Sequence, residues 1–157
     1  MILKFSPPLN APPCNHTVQT LASHLTGYDN WDHYHVGVSD LETKLHIGVH
    51  EMNLNREERL LQTNVLIGDK KWWGRDVVLE TRGALLDYFF FEQNIEKAYG
   101  MPLARNFPMI FNYKAQGWAL DEIMRDSLVS ITTGEMLDQY RFVMMRDDWA
   151  ELRGRTS

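Results

Sequence analysis

The sequence is poor in the features that disulfide frameworks, membrane anchors and nucleic-acid surfaces require. Its single cysteine, Cys14, cannot form an internal disulfide, and we interpret it as an incidental thiol. No apolar run approaches the roughly 20 residues of a membrane span, and the opening MILKFSPPLNAPPC lacks the apolar core of a secretory signal or a lipoprotein site. These absences predict a cytoplasmic protein without a membrane partner.

Positive charge is also scarce, because 16 Lys and Arg residues face 21 Asp and Glu residues, for a formal net charge of -5. Phosphate binding needs a cationic surface, so we expect no nucleic-acid partner, whereas a cationic amine substrate suits this balance. His35, His46 and His50 lie close enough in sequence to share a hairpin, but no Cys or carboxylate stands at the spacing of a closed zinc site. We interpret them as solvated strand histidines rather than as metal ligands.

The chain of 157 residues predicts a single domain, long enough to bury about two-thirds of the surface that its unfolded form exposes. Residues 1–15 form a Pro-rich lead, which excludes an interior helix or a central strand, and residues 150–157 form a polar tail. A helix is predicted after the lead, from an N-cap at Thr17 to a stop at Gly27.

Two periodicities divide the rest of the chain. Alternating apolar residues separated by polar turns predict an antiparallel meander of three strands, at residues 33–39, 45–54 and 60–68. From Val77 onward the period becomes helical. The remaining predicted elements are a short strand at 97–104, a helix at 106–117 and strands at 119–126 and 137–149. This order predicts an α/β (α+β) fold with a mixed, mostly antiparallel twisted sheet and helices on both faces.

The stretch IGDKKWWGRDVVLETRGALLDYFF, residues 67–90, is predicted to run from a strand through a tight loop into a helix. Such a helix start presents free N–H groups and the positive end of the helix dipole, which suit a diphosphate. Gly74 would let the backbone approach that ligand, but Asp76 adds a carboxylate and Val78 adds bulk. The segment is therefore either a cofactor loop or a junction that serves packing alone. Three aromatic residues either pack on the sheet or line a cleft, and the sequence does not distinguish these two roles: Trp72, Trp73 and Trp118.

Three segments carry a set of short motifs, and they are IGDKKWWGRDVVLETRGALLDYFF, NFPMIFNYKAQGW and YRFVMMRDDW. The motifs are Ile67-Gly68-Asp69, Trp73-Gly74, Glu80, Asn106, Tyr113 and Gly117-Trp118. In order and spacing they resemble the GNAT acyltransferase superfamily, particularly its ribosomal-protein N-acetyltransferase-like branch. The resemblance covers roughly residues 33–149.

This resemblance implies the GNAT fold, with acetyl-coenzyme A (acetyl-CoA) as co-substrate in a V-shaped opening between the parallel strands at 60–68 and 97–104. The first strand would offer its backbone to the pantetheine arm at Val65, Leu66 and Ile67. The loop and the helix start would hold the diphosphate through the main chain of Trp73, Gly74, Arg75, Asp76, Val77 and Val78. Asn106 would contact the pantetheine arm, and it also suits a helix N-cap. Tyr113 would be the general acid that protonates the departing thiolate.

Three departures from the family pattern bear on activity. In the register set by Trp73-Gly74 and Glu80, Asp76 and Val78 occupy the two small positions of the family's Gln/Arg-x-x-Gly-x-Gly/Ala loop. A register shifted by two residues puts Lys71 first and Gly74 on the first glycine but still leaves Asp76 on the last small position, so the diphosphate loop is degenerate in both. Gln62 stands where the branch often has a glutamate base, and because an amide is no base, Glu51 or His50 on the adjoining strand would have to substitute. The region before the meander is shorter than in the family. This predicts an acceptor pocket that is open or completed by a second chain, as in a homodimer.

The leading hypothesis is an N-acetyltransferase that moves an acetyl group from acetyl-CoA to a primary amine by direct attack in a ternary complex. A protein or peptide α-amine, a small amine such as a polyamine, and an amino sugar are all open as acceptors. The alternative is a catalytically silent GNAT-like binding or scaffold protein with impaired acetyl-CoA binding, which the degenerate loop and Gln62 favour.

Overall fold

The computed structural model describes Thr26 and residues 29–155. Apart from Thr26, the helix predicted between Thr17 and Gly27 lies outside the described residues, as does the lead at 1–15. The strands are β1 His33–Ser39, β2 His46–Asn55, β3 Leu60–Ile67, β4 Lys97–Gly100, β5 Ala119–Val129 and β6 Met136–Met145. The helices are α1 Val77–Asp87, which continues as a π-helical turn at Tyr88–Glu92, then α2 Phe107–Ala115 and α3 Arg146–Leu152. A 3-10 turn precedes α1 at Lys70–Trp72.

The described strands form one sheet in the order β1-β2-β3-β4-β6-β5. Every neighbouring pair is antiparallel except β3 and β4, which run parallel. The first three strands are sequential neighbours, as polar turns between alternating apolar segments predict. The mixed, mostly antiparallel sheet predicted from the sequence is therefore confirmed.

The parallel pair at the centre of the sheet is short. Only Leu60–Gln62 of β3 pairs with Lys97–Tyr99 of β4. β3 continues to Ile67 against β2, whereas β4 ends at Gly100. From Thr63 onward, the edge of β3 that faces β4 has no strand partner among the described residues, so its backbone polar groups need other partners. We call this V-shaped opening the β3/β4 fork.

The three described helices share a single core on one face of the sheet, and α1 contacts both of the others. Arg82 of α1 donates to the backbone oxygen of Asn112 in α2 (3.2 Å), and Trp149 of α3 donates its indole N–H to Asp87 of α1 (2.9 Å). None of the described helices is long and apolar enough to cross a membrane. Helices on both faces remain a prediction, because the described helices cover one face of the sheet.

The hydrophobic core lies between this helical layer and the sheet. Its most deeply buried side chains are Met52, Leu61, Leu86, Phe89, Phe90, Ile95, Ala98, Phe142 and Met144. Phe89 lies in the π-helical turn and packs edge-on against Tyr34 of β1, with 5.1 Å between ring centroids. The buried end of α1 therefore anchors the helix, while its other end stays at the fork.

The C-terminal part of the chain differs from the prediction. The sequence predicts a final strand at 137–149, but β6 ends at Met145 and α3 begins at Arg146. Asp147 and Asp148 occupy the first turn of α3, where carboxylates interact favourably with the helix dipole. The alternating pattern of β6 therefore continues past the end of the strand, and the pair Asp147 and Asp148 is the sequence signal for the helix start.

One other predicted bound is also wrong. Residues 150–152, at the start of the predicted polar tail, complete α3. The strand predicted at 97–104 ends at Gly100, and beyond it Leu103 forms only an isolated bridge to Gln139. Early termination of this strand widens the fork.

Replacing Gly100 by alanine should destabilise the protein, because the added Cβ would collide with the hydroxyl group of Tyr113 in the packed core. Overpacking of this kind lowers the free energy of unfolding by roughly 1 to 3 kcal/mol, which urea denaturation measures. Gly37→Ala on β1 is the control, since its Cβ would meet only the His46 ring, at 3.2 Å. Equal stability of both variants would show that Tyr113 does not fill the space over Gly100.

Candidate active site

A cavity of about 650 Å³ lies at the β3/β4 fork, between the end of β3, the following loop, the start of α1 and one side of α2. This volume is in the range of small-molecule sites. The structure brings together at this cavity most of the residues that the sequence predicts for cofactor binding. They are Val65, Leu66, Ile67, Trp73, Gly74, Asp76, Val77, Val78 and Asn106.

The wall on β3 consists of Val65, Leu66 and Ile67, beyond the last pair with β4. These residues pair with β2 on one edge, so the backbone groups of the other edge face the fork. One of these groups already has a partner, because Trp73 donates its indole N–H to the carbonyl oxygen of Ile67 (2.9 Å). Trp73 is 59% exposed, so it belongs to the cavity wall and not to the core.

The loop between β3 and α1 contains two residues with left-handed backbone. Gly74 has a φ of 71°, with no heavy atom within 4 Å of the place a Cβ would occupy, and Asp76 has a φ of 57°. Glycine adopts this conformation without steric cost, and aspartate tolerates it better than most residues. A glycine at position 76 would therefore satisfy the backbone, whereas Asp76 carries strain of about 1 kcal/mol.

α1 begins at the cavity with an N-terminus that no described side chain caps. Val77 and Val78 of its first turn line the cavity, so the free N–H groups and the positive end of the dipole offer an anion site there. Asp76 forms none of the ion pairs of the described residues, and its carboxylate therefore opposes an anion. Arg75, which is predicted to bind the ligand, is not among the residues that line the cavity. Its guanidinium lies 5.9 Å from the Trp72 ring centroid.

The opposite wall comes from α2. Asn106 caps this helix, since its side chain accepts from Met109 N (3.3 Å), and it also lines the cavity. Lining residues that the sequence did not indicate are Pro108, Met109, Phe111 and Asn112, and Trp72, which the sequence left open between packing and a cleft, also lines the cavity. Phe111 is 72% exposed although it is apolar, while Tyr113 on the other side of the helix is buried. Apolar residues on both sides of a short helix are the signal that could have found this wall.

Tyr113 lies in the core, 3% exposed, and is not among the lining residues. Its ring stacks on Phe142 with 5.1 Å between centroids, and Trp118 packs edge-on against it at 5.0 Å. The Arg82 guanidinium lies 4.2 Å from the ring centroid. The hydroxyl group of Tyr113 reaches Gly100, one residue beyond the last pair between β3 and β4. The predicted general acid therefore lies at the base of the fork, behind the cavity wall.

His50, one of the two substitutes suggested for the missing base, is fully buried on the helical face of β2. Its Nε2 lies 2.7 Å from Thr81 Oγ1, and because Thr81 donates its own proton to Val77 O, His50 Nε2–H is the donor. Burial, with a smaller contribution from Arg82, lowers the pKa of His50 from 6.5 to about 4. The ring is therefore neutral at pH 7 and closed to an incoming amine, and the prediction of a solvated strand histidine is wrong for His50.

Glu51, the other substitute, follows His50 in β2 and faces the opposite side of the sheet. It pairs in register with Asn64, which places it on the same face as Gln62 two residues earlier in β3. His35 Nδ1 lies 3.9 Å from the Glu51 carboxylate. Within residues 29–155, no group of three His, Cys, Asp or Glu side chains is arranged to hold a metal ion.

The strand order, the fork and the cavity at a helix start are those of the GNAT N-acetyltransferase fold, which confirms the fold prediction. Spermidine N-acetyltransferase from Vibrio cholerae, in complex with CoA and spermine, matches with a TM-score of 0.77 at 18% identity, over 88% of this chain and 80% of that one. A chimera of the Vibrio cholerae enzyme SpeG and hSSAT matches with a TM-score of 0.70 at 20% identity, over 83% and 75%. No family model and no curated protein sequence matches the chain. The ribosomal-protein branch remains a prediction.

His50 should make stability depend on pH. Its folded-state pKa is depressed from 6.5 to about 4, so the unfolded chain binds the proton more readily between these values. Stability should therefore fall as the pH drops from about 6.5 to about 4, by up to roughly 3 kcal/mol. Urea denaturation across this range should show that the free energy of unfolding of His50→Met depends less on pH than that of the wild type. His46→Gln, at an exposed position, should keep the pH dependence of the wild type. Identical slopes for all three proteins would contradict the assignment.

Proposed function

We propose that the protein transfers an acetyl group from acetyl-CoA to a primary amine. The observation that carries this proposal is the cavity at the fork, where an unpaired edge of β3 and the uncapped N-terminus of α1 face the same space. A pantetheine arm contains amides that suit an unpaired strand edge, and a diphosphate suits a helix N-terminus. The Vibrio cholerae spermidine N-acetyltransferase of similar fold binds CoA.

Each part of the cavity would have its own task. The backbone of Val65 and the N–H group of Ile67, which point away from β2, would hold the pantetheine arm, with Asn106 on the facing wall. Main-chain N–H groups of residues 73–78 would hold the diphosphate. Bound acetyl-CoA would supply the thioester that the amine attacks. Tyr113 would donate its hydroxyl proton to the sulfur as the carbon–sulfur bond breaks, because proton transfer makes the thiolate a better leaving group.

A small cationic amine is the first acceptor to test. The net charge of -5 favours cations, and the similar structures are those of enzymes named for spermidine. A peptide α-amine and an amino sugar are the other acceptors. An alkyl ammonium group with an ordinary pKa near 10.4 must lose a proton before it attacks, and Glu51, on the face of Gln62, would take it.

Acetyl-CoA at a hundred times its dissociation constant should stabilise the protein by about 2.7 kcal/mol, which a thermal shift detects. Asp76→Gly should enlarge this shift at fixed ligand concentration, because it removes a carboxylate and supplies the residue that a φ of 57° favours. Asp126→Gly is the matched control, since Asp126 also has a left-handed backbone (φ of 49°) but lies on β5. No shift in the wild type or in Asp76→Gly at millimolar acetyl-CoA would favour the silent scaffold protein.

Tyr113→Phe should lower kcat by about a hundredfold or more, because the general acid is lost. The thermal shift on acetyl-CoA binding should be retained, since Tyr113 is not among the cavity-lining residues. Coupled release of free thiol, measured with spermidine as acceptor, reports turnover, and Tyr140→Phe on β6 is the control. Wild-type turnover in Tyr113→Phe would remove Tyr113 from its assigned role.

A further inference from the structure

Arg82 is the largest fully buried side chain in the described part of the chain. None of the ion pairs among the described residues includes it, so no carboxylate neutralises its charge at short range. Burial lowers the pKa of Arg82 to about 10, although Tyr113 opposes this effect. A buried charge without a partner opposes folding, so its presence calls for an explanation other than stability.

Hydrogen bonding does not require a charge at this position. Arg82 Nε donates to Gln116 Oε1 (2.6 Å), and Arg82 Nη2 donates to Asn112 O (3.2 Å). Each acceptor has a second donor, since Trp118 Nε1 also donates to Gln116 Oε1 (3.0 Å) and Gln116 N donates to Asn112 O (3.2 Å). An unbranched apolar side chain at position 82 would therefore leave neither acceptor unpaired.

The contact that does depend on the charge is the one with Tyr113. Arg82 Cζ lies 4.2 Å from the Tyr113 ring centroid and 5.2 Å from that of Trp118, an arrangement that attracts the cation to both rings. Asn112 and Met109, which lie beside Arg82, also line the cavity on their other side. The charge therefore stands directly behind the wall of the fork, where low polarity strengthens its field.

We propose that Arg82 is a positioning residue for acetyl transfer, which acts through Tyr113 and rests on the function proposed above. It fixes the Tyr113 ring at the base of the fork and stabilises the negative charge that the tyrosine oxygen acquires in the transfer step. In that step, the lone pair of the neutral amine forms the carbon–nitrogen bond, and the carbon–sulfur bond breaks with its electron pair on sulfur. The Tyr113 proton moves to sulfur, and the tyrosine oxygen then takes up the proton that the new amide nitrogen releases.

Arg82→Met is the first test. We expect kcat to fall at least about tenfold and KM for acetyl-CoA to stay within about threefold, because charge stabilisation is lost while the cavity keeps its lining. The melting temperature without ligand should not fall, since the variant removes an unneutralised buried charge. Arg82→Lys retains the charge and should recover much of kcat.

Gln116→Glu is the second test and does not remove Arg82. It would place a carboxylate at the acceptor position 2.6 Å from Arg82 Nε and neutralise the charge in nearly the same shape, with loss of the bond from Gln116 Nε2 to Leu79 O (2.8 Å). We expect a folded protein, shown by an unchanged circular dichroism spectrum, with kcat lowered at least about tenfold. If Arg82 served packing alone, kcat would stay at the wild-type level.

The double variant Arg82→Met/Tyr113→Phe should be no slower than Tyr113→Phe alone, because Arg82 acts through the tyrosine. Additive losses, or an Arg82→Met activity that falls only with the folded fraction, would overturn this inference and leave the proposed function intact. Absence of wild-type turnover with acetyl-CoA and a panel of amines would overturn the proposed function and this inference together.

Discussion

The short parallel pairing between β3 and β4 is the constraint on which the candidate site depends. The two strands share backbone hydrogen bonds over three residues each and then separate, so β3 continues with one edge unpaired. Buried or half-buried backbone groups must find partners, and a ligand with its own amides can supply them. A longer β4 would close this edge and remove the site. The function proposed here therefore follows from where one strand ends.

Packing of the helices on one face gives the fork its other walls. α1 is anchored by the buried aromatic residues of its π-helical end, which leaves its uncapped N-terminus at the cavity. α2 has two apolar sides, one in the core through Tyr113 and one on the cavity through Phe111. Arg82 lies between these two helices and is buried by both. The contacts between α1 and α2 therefore both stabilise the fold and hold the residues of the proposed chemistry.

The sequence predicted the strands and the central helices because these depend on local signals, and the family resemblance supplied the cavity-lining residues that were expected. Alternation marks the meander, Asn106 followed by proline marks the start of α2, and the motifs around Ile67 mark the end of β3. Prediction failed where a local pattern continues past a change of structure, as at Arg146, where a strand becomes a helix within an alternating segment. The wall formed by Phe111 was missed because the exposed side of a helix depends on what packs on its other side.

The sequence by itself determined which residue types stand at the fork, including the carboxylate of Asp76 and the amide of Gln62. Only the tertiary structure decided their surroundings. It placed the consecutive residues His50 and Glu51 on opposite faces of β2, because side chains alternate along a strand and helices cover only one described face. It also buried Arg82 without a carboxylate, which no local pattern indicates. The physical reason is that burial, charge compensation and backbone handedness arise from contacts between segments distant in the chain.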